Sequence, residues 1–178
     1  MRAIVPAMEW REYQAISEFY GKRKAKRTEA PLMQHIDEGL LILEGLGASE
    51  RAKRAYCLHP LLQSDEDLAE TYERGVGELT DDPAVLALAL EYRNIANATL
   101  SPRLVATVDE IPLSPLDEVN DMLRADKVQN WKDFVRHHKG THPRSVELER
   151  YFRLWHSRLG LSQARVAALV ELAGQRAK

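Results

Sequence analysis

Apolar residues recur at three- and four-residue intervals along most of this chain, and only one short run, "LVATV" at 104–108, has the character of a strand. That period lays a single apolar stripe along each helix. Stripes of this kind are buried only against one another, so the pattern predicts an all-α helical bundle. The breaks divide it into segments. A first helix is expected over 8–26, with Trp10, Tyr13, Ile16 and Tyr20 on one side. Pro31 opens a second, which runs to about Leu46 before "GLGAS". Ser49 caps a third, "RAKRAYCLHPLLQ", in which Pro60 removes a backbone donor and is expected to bend the helix. Ser64 and Asp67 form a capping box ahead of a helix over 65–74. Another helix spans Asp82–Leu100, with Pro83 in its first turn. Residues 101–115 hold three prolines and read as a surface loop. A long helix over 116–138 and two more over 145–159 and 162–175 complete the chain.

At 178 residues the chain is expected to form one domain over 1–178 with a substantial core. A formal net charge of −2 gives no global reason to expect nucleic-acid or membrane binding. No stretch approaches the ~20 apolar residues that a membrane span needs, and "MRAIVPAMEW" is too short in its apolar part for a signal peptide. The lone Cys57 excludes an internal disulfide and fits a cytoplasmic setting. Locally, "KRKAKR" at 22–27 puts five cations in six positions, either a solvated helix end or a patch for phosphates.

Three polar residues lie on stripes that should face inward. His35 shares a face with Leu32, Ile36, Gly39 and Leu43; His59 with Ala52, Ala55, Tyr56 and Leu62; Asp126 with Leu116, Val119, Leu123, Asn130 and Phe134. A buried carboxylate is costly unless a cation or donors compensate it. The neighbouring Arg124 and Lys127 are expected to point elsewhere around the helix. Two imidazoles and a carboxylate from three helices can form a facial divalent-metal site with positions left open for water; ordinary core packing is the alternative for each histidine.

The stretch "LRADKVQN" at 123–130 resembles the "LADRLHN" signature of HD-domain phosphohydrolases, above all the RelA/SpoT-type alarmone (ppGpp) hydrolases. Upstream, "KRTEAPLMQHIDEGLLILEGLGASERAKRAYCLHP" is similar to the segment that carries their first His and their His-Asp pair, and the resemblance covers roughly residues 22–135. It implies an HD-like bundle and a divalent metal, manganese first, with iron, zinc or magnesium as other candidates, held by His35, His59 and Asp126. It implies further that Asn130 and Lys127 support nucleotide binding, that Lys26 and Arg27 face phosphates, and that Glu66 and Asp67 position an attacking water. The departure is His59-Pro60 in place of the family's His-Asp, which removes one metal ligand and leaves open a degenerate site with no cofactor.

Elsewhere, "EYRNIAN" at 91–97 places Arg93 and Asn97 one turn apart, as a phosphate clamp or an interhelical salt bridge. "FVRHHKGTHPR" at 134–144 crowds three histidines without a usual zinc spacing. "ELERYFRLWHSRL" reads as packing or as the face of a homo-oligomer. The expected function is a metal-dependent phosphohydrolase acting on a nucleotide or a nucleotide-derived phosphoester. The alternative is an inactive HD-like protein that binds a nucleotide or a protein partner.

Overall fold

The computed structural model describes residues 7–25, 29–100 and 105–175. Among them lie eight α-helices: α1 Arg11–Tyr20, α2 Met33–Leu46, α3 Glu50–Gln63, α4 Asp65–Gly75, α5 Pro83–Ala98, α6 Asp117–His137, α7 Ser145–Arg158 and α8 Gln163–Gly174. No strand occurs among the described residues, and the β pairing they contain is a single bridge between Lys24 and Pro31. The all-α expectation holds. No described helix is long and apolar enough to cross a membrane.

Side-chain caps set several helix starts. Ser49, Ser64, Asp82 and Ser162 accept backbone amides of Ala52, Asp67, Ala84 and Arg165 at 2.9–3.1 Å, each satisfying a donor that an open helix end would leave unpaired. The first helix stops at Tyr20 and does not run to 26. Gly21 adopts φ +52 and its amide returns to the Ser17 carbonyl, so the chain leaves the helix before the basic run begins. Arg23 then folds back over the Phe19 ring.

α3 forms the axis of the bundle, packed by α1, α2, α4, α5 and α6, and it is buried along most of its second half. Tyr56, Leu58, Leu62, Tyr92, Met122, Leu123 and Trp155 are fully buried around it. Two buried ion pairs that the sequence did not announce tie helices across this core. Glu12 of α1, with no exposed surface, takes both the Nε (3.1 Å) and Nη2 (2.8 Å) donors of Arg54 on α3 together with the Thr80 hydroxyl. Glu38 of α2 meets the ammonium of Lys132 on α6 at 2.6 and 2.8 Å. α2 also packs on α8 at Gly45, where an added methyl group would stand 2.5 Å from a Leu172 methyl.

Candidate metal centre

His35 on α2, His59 on α3 and Asp126 on α6 converge, each offering one ligand atom, all within 4.8 Å of one another. The stripes explain the meeting. Each of the three helices turns its apolar face to the same axis, so a polar residue on each face is delivered to a common depth. His59 and Asp126 are 3 % and 5 % exposed. His35 is half-buried and opens onto a cavity of about 720 Å³ lined by all three residues.

The hydrogen bonds assign the histidine tautomers. His59 donates from Nδ1 to the Tyr56 carbonyl at 2.6 Å. That carbonyl lies four residues before Pro60, whose missing amide would otherwise have been its helical partner; proline thus frees the acceptor that orients His59. His35 donates from Nδ1 to Oε1 of Gln129 at 2.7 Å. Gln129 has no choice of orientation, because its amide nitrogen donates to Glu38 (3.1 Å) and Asp133 (2.9 Å), both carboxylates. With both Nδ1 protons turned outward, the two Nε2 atoms face each other at 3.3 Å, with Asp126 Oδ1 3.5 Å from that of His35. The Tyr56 hydroxyl, 3.2 Å from His35 Nε2, is the hydrogen on hand and can satisfy only one of them. Such an arrangement has more acceptors than donors, and a cation between them, a proton or a metal ion, is what balances it.

The electrostatics agree. Burial, then the neighbouring His35, pushes His59 down to about 3. Burial opposes the charge on Asp126, but Lys127 and the two histidines outweigh it and hold the carboxyl at about 2. His59 is therefore a neutral imidazole and Asp126 a carboxylate, the forms in which these side chains bind divalent metals. Outer contacts fix the ligands as such sites require. The carboxylate is held by Lys127 Nζ at 2.9 Å and Asn130 Nδ2 at 2.8 Å. The Tyr92 hydroxyl, fully buried, has no hydrogen bond of good geometry although it stands close enough to Asp126 for the carboxylate to oppose its ionisation.

The remaining predicted residues are placed unevenly. Lys127 does not point away from Asp126; its long side chain wraps back to the carboxylate and lies over the Trp155 ring at 4.9 Å, so it serves the ligand and is not free for a base. Asn130 lines the cavity but is likewise bonded to Asp126. Arg93 does not line the cavity. It pairs with Asp65, and Asn97 donates to the Gln63 carbonyl, so this pair of residues bridges α5 to the α3–α4 corner. Glu66 is exposed and does not line the cavity. Asp67 is held by Ser64, whose hydroxyl accepts the Asp67 amide and donates to its carboxylate in place of the backbone bond a capping box would make, and it lines a different cavity, with Arg23 and Arg74. Lys26 and Arg27 fall outside the described residues, while Ala25 and Ala30 on either side of them line the cavity. The three late histidines stand in succession, ring centroids 6.1–6.3 Å apart, and form no metal-ligating group among the described residues. Phe152, Trp155 and Leu159 are buried within the bundle, which makes the α7 face packing, while Leu148 adds to the cavity wall.

Sequence reasoning passed over Gln129, Tyr56 and Glu38. Gln129 stands inside "LRADKVQN", three residues after Asp126, and that spacing was its one available signal.

No family model matches this chain, and no curated protein or solved structure matches it at a significant level. The likeness to the HD phosphohydrolases therefore rests on the residues of the two stretches themselves.

Proposed function

We propose that His35, His59 and Asp126 hold a divalent metal ion, manganese first among the candidates, in a phosphohydrolase that acts on a nucleotide or a nucleotide-derived phosphoester. The observation that carries this reading is the pair of facing Nε2 atoms 3.3 Å apart beside a carboxylate at the base of an open cavity. An ion in that place would lower the pKa of a water toward neutrality and polarise a phosphoryl oxygen. The chain's own part is to hold the ligands. Gln129 and the Tyr56 carbonyl keep the histidine protons on Nδ1; Lys127 and Asn130 fix the carboxylate. Tyr20, Phe134, Tyr151 and Phe152 give the cavity aromatic walls on which a base can rest. The resemblance adds the nucleotide to this reading.

A second reading, an inactive HD-like protein that binds a nucleotide or a protein partner, is favoured by two placements. Pro60, which offers no ligand atom, lines the cavity, and Glu66 and Asp67 lie elsewhere. Elemental analysis and phosphate release from a nucleotide panel separate the two. The hydrolase reading expects about one manganese, iron or zinc per chain, turnover of at least one nucleotide, and loss of both metal and turnover in His35→Ala. Metal without turnover on any nucleotide turns the reading to the second; no metal uptake sinks the centre itself.

A further inference from the structure

We propose that the phenol oxygen of Tyr56 is a fourth ligand at this centre, an inference that rests on the metal reading above. Three atoms surround His35 Nε2: Tyr56 Oη at 3.2 Å, His59 Nε2 at 3.3 Å and Asp126 Oδ1 at 3.5 Å. With bonds of about 2.0–2.1 Å, ligand atoms at neighbouring positions around an ion stand about 3–3.4 Å apart. The phenol is thus spaced from His35 as the two other donors are. Tyr56 lies three residues before His59 on the same helix, and an ion that takes five or six ligands, as manganese and iron do, keeps a position for the water beside four protein ligands.

The fold makes room for this phenol and for nothing larger. A methyl group added at Gly39 would stand 2.2 Å from Tyr56 Cε1 and 2.3 Å from both Cζ and Oη. Gly39 lies one turn beyond His35 on α2, so a notch in the helix that carries one ligand receives the ring of the other. Glycine weakens a helix interior relative to alanine; here it admits the ring tip. The ring itself is fully buried. Its hydroxyl bonds, among the described residues, to His35 Nε2. That is the lone pair an incoming ion takes. Once it is taken, the phenol loses its acceptor and its oxygen faces the ion. Ligation replaces the O–H bond with a metal–oxygen bond, and the proton passes to buffer. The resulting phenolate, with Asp126, offsets the two charges of the ion in a buried setting that already holds Lys127.

Loading the full chain with ferric iron from its nitrilotriacetate complex tests this directly, because tyrosinate bound to ferric iron gives a visible charge-transfer band and phenolate modes in resonance Raman. The band is expected in the native sequence and in Tyr92→Phe, and absent from Tyr56→Phe. Cobalt(II) affinity is expected to fall at least about tenfold in Tyr56→Phe. Iron bound without the band, or a band that survives Tyr56→Phe, overturns the assignment and leaves the three-ligand centre standing. Failure of the native chain to take up either iron or cobalt overturns both. If Tyr56→Phe does not fold, the Raman spectra of Tyr20→Phe, Tyr92→Phe and Tyr151→Phe decide, since phenolate modes retained in all three support Tyr56 and their loss in one moves the ligand to that residue.

Discussion

Two buried polar clusters lie on opposite sides of α3, and they differ in how their hydrogen bonds balance. At Glu12 the carboxylate is fully buried, and Arg54 and Thr80 supply donors to it. Arg54 reaches Asp81 as well, and its guanidinium is raised above its usual value chiefly by the bond to Glu12. Around His35, His59 and Asp126 the outward atoms are equally well held, but the inward ones face each other as acceptors. The first cluster is complete as folded. The second is complete only with a cation added. Burial of charge is common to both and marks neither as a site; the shortage of donors does.

The largest effect is expected where the complete cluster is broken. Arg54→Ala leaves Glu12 buried and uncompensated, at a cost of about 3–5 kcal/mol in urea unfolding. A loss below about 1 kcal/mol would mean that water reaches Glu12 and that the cluster is not sealed. pH sharpens the contrast next. His59, at about 3 from burial and then His35, and His156, at about 4 from burial, stay neutral in the folded metal-free chain. Unfolded, each takes up a proton near pH 6.5. Between about pH 6.5 and 4 the unfolded state thus binds protons that the folded state refuses. Stability is expected to fall with pH across that window by about 1.4 kcal/mol per unit for each histidine. Arg54 does not titrate there. Urea midpoints measured in chelator at several pH values read this slope, and a flat profile would place both rings in contact with water.

The smallest effect probes the unfinished cluster from behind. Pro60→Ala restores an amide that competes with His59 for the Tyr56 carbonyl. Cobalt affinity is expected to drop about tenfold, the usual scale for a lost outer contact, while the metal-free chain gains stability from the better helix former. Unchanged affinity would show that the carbonyl holds both donors at once.

Much of this was legible in the residues. The caps Ser49 and Ser64 place helix starts because capping is local chemistry. His35, His59 and Asp126 could be picked out because a polar residue on an apolar stripe has few places to go. Tyr56 and Gln129 could not, since an aromatic on a core stripe reads as packing and an amide declares its role only through its partners. Lys127 was misplaced for another reason. Helical spacing directs the Cβ, but a four-carbon stem is long enough to return to its neighbour when the Trp155 and Tyr151 rings lie against it. Pro60 drew notice as a bend and a missing ligand; α3 runs on through it to Gln63, and the proline also releases a carbonyl.

Gly45 gives the last helix a hold on the centre. α8 rests against α2 where that glycine leaves room for Leu172, and Arg165 at the start of α8 reaches the Gly45 carbonyl at 2.6 Å. Ten residues upstream on the same rigid rod stands His35. The last helix thus braces the rod that carries His35 without being one of the helices that supply the cluster.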